Sequence, residues 1–323
     1  PTPHTSYALT SLMTGKYMRP LLLQGLASNS DTWAASLRRY DYRTAAFYPP
    51  AAFFIDRAKF ESFRLSGYDF EYRKVQFSSA AERVAEFEGY LKKQTGAQPL
   101  FSWVHLFEPH EPYVAHAAHD FGARDIDRYD SEVKAADAAL GAIVERMRAV
   151  RPKTIVIVTA DHGEEFGDHG GRYHGTTVFD EQVRVPLVIS APAILKPRRV
   201  KQPVSLIDLL PSMLAGLDIP LSPRLRGRDL GPLMLGKAPD DAGFAFAETD
   251  EQTLLAEGSN RLVCLRRIGA CQLYDIESDP RQQVNLAPKR SAEVDSMRSR
   301  LRRFAASHGH FETDRASRWP PAL

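Results

Sequence analysis

Residues 154–171 read TIVIVTADHGEEFGDHGG, a strand-like run that ends in potential metal ligands. An apolar, β-branched run from Thr154 to Thr159 breaks off at Asp161 and His162, and glycines, acids and a further histidine follow. The run has the composition of a parallel-sheet strand buried on both faces, which has no structural use for a carboxylate and an imidazole at its exit. Open α/β sheets bind ligands beyond the carboxyl ends of their strands. Adjacent Asp161 and His162 are therefore expected to enter one crevice as an oxygen and a nitrogen ligand of a metal. The plainer alternative makes Asp161 a turn cap and His162 an ordinary loop residue.

Three further stretches favour the metal. PTPHTSYALTSLMTGKY opens the chain. Pro3 disfavours helix through it, and Thr5 stands before a run with helical spacing, Tyr7, Leu9, Leu12 and Met13, so Thr5 lies at a helix N-terminus. There it is either a plain N-cap or a nucleophile, with open backbone amides to receive an anion and a nearby metal to lower its pKa. In FSWVHLFEPHEPY, His105 sits inside an apolar strand and reads equally as a core histidine or as a substrate contact. His110 lies between two prolines at the strand's exit, with nothing to pack against, and reads as a ligand contact. In RYHGTTVFDEQ, His174 follows His162 by twelve residues, close enough for the glycine-rich loop between them to fold back on the same site or to act as a lid. His116 and His119 read as surface residues.

Apolar residues make up 43% of the 323, charged residues 25%, and the net charge is +2. That composition describes a globular protein with no field calling for nucleic acid as partner. No run approaches the ~18 apolar residues that span a bilayer, and no signal peptide is visible. The chain opens in mid-motif without a methionine, so further residues are expected before Pro1, and any membrane contact is expected to come through them. The two cysteines, Cys264 and Cys271, flank RRIGA in a hairpin-like stretch; a disulfide and two free thiols both fit, and a bridge would indicate an oxidising compartment.

Strand-like and helix-like runs alternate through most of the length, which predicts an α/β fold: a mostly parallel central sheet with helices on both faces. Helices are expected at 6–17, 31–40, 80–94, 131–150, 206–217 and 292–306, and strands at 44–48, 100–106, 154–159 and 186–190. Beyond Pro220, short strands at 243–249, 254–257, 261–266 and 270–276 predict a small antiparallel C-terminal sheet. The expected division is a catalytic domain over 1–235, its first strand lying before Pro1, and a small α+β subdomain over 236–323.

Six segments in order, TSLMTGKY, EPHEPY, VTADHGEEFGDHG, HGTTVFDEQVRVPLVI, VSLIDLLPSML and LYDIESDPRQQVNLA, resemble the sulfatase branch of the alkaline phosphatase superfamily. The resemblance implies a metal-dependent enzyme acting on sulfate or phosphate esters through a covalent intermediate. It places Thr5 at the nucleophile, Asp161 and His162 at metal ligands with Thr5 beside them, and His110 and His174 where the anion is held or the leaving oxygen protonated. Sulfatases make formylglycine from Cys or Ser within Cys/Ser-x-Pro-x-Arg, whereas this chain has Thr5-Ser6-Tyr7-Ala8-Leu9. An unmodified Thr is similar to the membrane-anchored phosphoethanolamine and glycerophosphate transferases of the superfamily.

The expected activity is hydrolysis or transfer of sulfate or phosphate esters by one divalent ion and Thr5; the alternative is a non-catalytic sulfatase-like binding or scaffold protein. Mixed Asp/His ligation favours Mn²⁺ or Zn²⁺ over Ca²⁺ or Mg²⁺. The expected substrate is a small-molecule, lipid or glycan ester, and the expected location is the periplasm or the extracytoplasmic face of a bacterial membrane.

Overall fold

The computed structural model describes residues 1–27, 30–237 and 242–313. The chain divides into two compact units: residues 34–158 with 188–194 form one, and residues 1–33, 159–187 and 195–323 form the other.

In the first of these units, three strands lie parallel in the order Tyr72–Val75, Arg43–Tyr48, Leu100–Val104. The middle strand is buried from Thr44 to Tyr48, as a parallel strand with covered faces must be. Ala45 and Phe47 pack with Phe87, Tyr90 and Leu91 of helix Ala80–Leu91 and with Ile143 and Met147 of helix Asp125–Val150. The former helix begins at a capping box, in which the Ser79 hydroxyl accepts from the Glu82 amide and the Glu82 carboxylate accepts from the Ser79 amide. The latter begins six residues earlier than the apolar spacing predicts, because its first turns, DIDRYD, carry acids that suit a helix N-terminus and almost no apolar stripe.

The decisive run forms strand Val156–Thr159, which pairs with Leu187–Ser190 in a ladder of its own. It is half-buried throughout, not covered on both faces as its composition predicts. Among the described residues it has one ladder neighbour, so one edge stays open and its apolar residues are shielded only in part.

The other unit is built around helix Thr5–Thr14 and a four-stranded antiparallel sheet. Nine of that helix's ten residues are buried, so it is a core helix rather than an amphipathic one. The sheet runs Cys271–Asp275, Asn260–Leu265, Gln252–Glu257, Phe244–Glu248. Its two faces bury different partners, as period-2 alternation demands. Phe246, Leu255, Leu262 and Leu273 meet Val294, Met297, Leu301 and Phe304 of helix Ser291–Thr313. Their sequence neighbours Ala247, Leu254, Val263 and Tyr274 face Val178 and Phe179. Cys264 and Cys271 are directly opposed in the hairpin, with Cα atoms 4.1 Å apart, and are joined by a disulfide. That spacing suits a non-hydrogen-bonded pair.

Candidate active site

Helix Thr5–Thr14 starts at Thr5 itself. The preceding His4 is the N-cap residue, and its carbonyl accepts from the Ala8 amide at 2.8 Å, while no side chain caps the helix. The Thr5 hydroxyl is thus not engaged as a cap. It lies 2.9 Å from Nε2 of His162, across 157 residues of sequence.

His162 is held at its other ring nitrogen, 2.9 Å from the carbonyl oxygen of Gly163. A carbonyl can only accept, so Nδ1 carries a hydrogen, and in the neutral ring Nε2 is then the acceptor nitrogen beside Thr5. The Asp161 carboxylate stands 3.4 Å from the same Nε2, and both side chains are largely buried. Gly163 itself is packed too tightly for a side chain, since a Cβ there would run into the Glu181 carbonyl. Three donor atoms, the Thr5 oxygen, His162 Nε2 and an Asp161 oxygen, therefore gather at the strand exit, and a carbonyl orients the imidazole as it does in metal sites.

His174 joins this group: its ring stacks on His162 at a centroid distance of 4.0 Å and an angle of 26°. Its Nδ1 is 3.1 Å from Glu164 Oε1, which accepts as a carboxylate. Gly175, at φ +91°, lets His4 approach, and a Cβ added there would come within 2.8 Å of the His4 ring. Burial, then the positive Arg19 and then His174, lower the His4 pKa below its ordinary value. The His4 Nδ1 atom is buried with no hydrogen-bond partner.

His105 and His110 belong to the other unit. The His105 amide continues the sheet ladder by donating to the Phe47 carbonyl at 2.8 Å, and its ring meets Trp103 edge-on. His110 stacks on Phe107 at 4.4 Å, and its Nδ1 lies 2.7 Å from the Glu111 carbonyl, which fixes Nε2 as the acceptor nitrogen of the neutral ring. The turn around it is tied to Glu132, whose carboxylate accepts from the amides of His110 and Val114. Burial raises the Glu132 pKa.

Two members of the Thr5 cluster, His4 and Glu164, escape sequence reading. His4 carries a signal only as the neighbour of a candidate nucleophile, and Glu164 stands in an acidic loop whose default is solvation.

A model of the sulfatase family matches residues 1–219 of the chain. Arylsulfatase K of Gallus gallus is 27% identical over 227 residues, 62% of this chain and 42% of that protein. The ulvan-active sulfatase of Formosa agariphila is 27% identical over 247 residues, 65% of this chain and 48% of that protein. The chain thus spans less than half the length of these relatives. The solved phosphonate monoester hydrolase of Silicibacter pomeroyi shares the fold, with a TM-score of 0.74 at 17% identity over 95% of this chain and 86% of that one.

Proposed function

The chain belongs to the sulfatase family, and we propose that it hydrolyses or transfers sulfate or phosphate esters through a covalent intermediate on Thr5. The observation that carries this reading is the 2.9 Å contact between the Thr5 hydroxyl and Nε2 of His162 at the start of a helix. A nucleophile there has the positive end of the helix dipole beside the transferring group.

Asp161, His162 and Thr5 are the proposed holders of one divalent ion, with Mn²⁺ or Zn²⁺ preferred for this mixed oxygen and nitrogen set. The donors fit: bonds of about 2.0–2.2 Å put neighbouring ligand atoms roughly 3 Å apart, which is the order of the Thr5–His162 and His162–Asp161 separations. Bound there, a divalent cation supplies Lewis acidity, lowering the hydroxyl pKa and neutralising ester oxygens. Thr5, with its proton given up to water, attacks sulfur or phosphorus in line with the leaving oxygen, and the bond to that oxygen breaks. His174, oriented through Glu164, is assigned to hold the equatorial oxygens and to protonate the leaving oxygen. For His110 and His105, which lie in the other unit, an anion-binding role is proposed on the family resemblance alone. Water or an acceptor alcohol then releases the group from Thr5.

Lacking the formylglycine motif, the site suits phosphorus esters at least as well as sulfate esters. The ulvan-active relative supports a glycan ester among the substrates. The Cys264–Cys271 bridge supports an oxidising, extracytoplasmic setting. Catalysis is assigned to residues 1–235, with 236–323 as an accompanying subdomain.

The test is turnover of aryl sulfate, phosphate monoester and phosphate diester substrates by the full-length protein and by Thr5→Ala. Assayed at saturating Mn²⁺ or Zn²⁺, because the substitution also removes one proposed metal ligand, it is expected to lower kcat by about 10³-fold or more, the scale of losing a covalent route. Turnover retained by Thr5→Ala removes Thr5 from its role. A metal-loaded wild-type protein silent on all three classes decides for a non-catalytic member.

A further inference from the structure

Residues 163–175 follow His162 and include His174, and their five glycines give them the composition of a lid. The structure ties them down in the middle. Strands Glu165–Phe166 and Arg172–Tyr173 pair antiparallel. The buried Glu165 carboxylate accepts from the amides of His169 and Gly171 at 3.0 and 2.7 Å and from Gln182 Nε2 at 2.8 Å. Gln182, also buried, accepts from the amides of Thr176 and Thr177. Its helix, Asp180–Val183, is anchored on the antiparallel sheet by the buried Asp180–Arg261 pair at 3.1 Å.

His169 closes the arrangement. Its ring lies flat on Phe179, centroids 3.6 Å apart and planes within 2°. Nδ1 is 2.6 Å from Glu181 Oε1, and Nε2 is 3.1 Å from the Gln282 carbonyl. Gln282 is itself fixed: buried, at φ +51°, it accepts from the Asp180 amide through Oε1. Because a carbonyl only accepts, Nε2 carries a hydrogen, and the short contact to Glu181 then needs a second one. Whether that hydrogen sits on Nδ1 or on the carboxyl, the pair holds one proton more than a neutral imidazole beside a carboxylate. Without it, a nitrogen lone pair would face a carboxylate oxygen across 2.6 Å.

We propose that His169 and Glu181 form a proton-dependent staple, a pair of positioning residues that holds the 163–175 loop, and with it His162 and His174, and that opens when the shared proton leaves. The consequence for turnover rests on the ester chemistry proposed above; the staple itself does not. The groups facing the imidazole are Glu181 from the short helix, Glu165 from the hairpin, the Phe179 ring and the Gln282 carbonyl, so both charged neighbours are acids that retain the proton. Burial opposes the charge on His169, but the Gln282 carbonyl and Glu181 outweigh it and raise its pKa above the ordinary 6.5. Burial raises Glu181 as well. The His169 shift sets the window: its stabilisation is complete below the ordinary histidine value and is lost as pH rises through the raised one.

The experiment measures, in full-length protein, the His169 ring titration by NMR and the hydrogen exchange of the His169 and Gly171 amides against pH, in wild type and in Glu181→Gln. An amide at 181 can donate to Nδ1 of a neutral ring whose Nε2–H still reaches Gln282, so E181Q closes the staple without the extra proton. In wild type, His169 is expected to titrate above 6.5 and loop protection to fall about tenfold or more through that pH, beyond the intrinsic base catalysis of exchange. In E181Q the His169 pKa is expected to drop by about one unit and protection to stay level. Glu181→Ala is expected to expose the loop at every pH. Identical pH dependence in wild type and E181Q, or a His169 that titrates at or below its ordinary value, overturns the staple. Where esters are turned over, kcat should fall with loop protection while KM changes little, and E181Q should lose that alkaline fall. An alkaline fall unchanged in E181Q overturns the staple and leaves the ester chemistry standing, and a protein without turnover is still decided by exchange and titration.

Discussion

A threonine one residue inside a helix differs in kind from one at its cap. Had Thr5 been the N-cap, its oxygen would have turned back onto the amides of the first turn. As the first helical residue it does not cap the helix, and its hydroxyl meets His162 instead. The same economy of space governs Gly175, whose φ of +91° and contact with the His4 ring exclude a side chain. Gly175→Ala is expected to destabilise the protein by about 1–3 kcal/mol in chemical denaturation, the range for a strained non-glycine position, and to lower turnover by displacing His4. Unchanged stability and turnover would show that His4 yields freely. At this scale the sequence was informative where a residue broke its surroundings: Asp161 and His162 end an apolar run, and Thr5 follows a proline and precedes a helical pattern. Glu164 and His4 break no pattern, because an acid in an acidic loop and a histidine in a Pro/Thr-rich turn are what such segments ordinarily contain.

Among the elements, the C-terminal sheet was readable and the parallel sheet only in part. RLVCL and its neighbours are apolar on successive residues, and the structure explains this by covering both faces of the sheet, one with helix Ser291–Thr313 and one with Val178 and Phe179. Strand Tyr72–Val75, YRKV, carries no such signal. It is an exposed edge paired on one side to Arg43–Tyr48, so the main-chain ladder rather than side-chain burial defines it. The hairpin that carries Cys264 and Cys271 closes the sheet's far edge. Cutting the bridge by reduction or by paired Ser substitution is expected to cost about 2 kcal/mol, as for a short closed loop, and to lower the Tm. A Tm indifferent to reductant would mean that the sheet holds the hairpin unaided.

On the scale of the molecule, alternation of strand and helix was enough to predict an α/β fold, since each amphipathic element must bury one face against the other kind. Its division into units was not legible. Each unit is assembled from separate stretches of chain, and nothing in local composition marks Thr159 or Leu187 as the crossing points. The Asp161, His162 and Thr5 donors come from two such stretches, 1–33 and 159–187, so a shared cation would cross-link distant parts of the sequence. Treatment of the full-length protein with a chelator is accordingly expected to abolish ester turnover and lower the Tm, and Mn²⁺ or Zn²⁺ to restore both. Turnover that survives exhaustive chelation would rule the cation out.

Gln282 lies 113 residues beyond His169 and still offers it a carbonyl, while its own amide oxygen takes the Asp180 N–H. Chimaeras are constrained by this. Replacing the glycine-rich hairpin alone by a sequence without a histidine at 169 would leave Glu181 and the Gln282 carbonyl without their ring, so loop exchange has to carry 163–183 and the turn at Gln282 as one cassette.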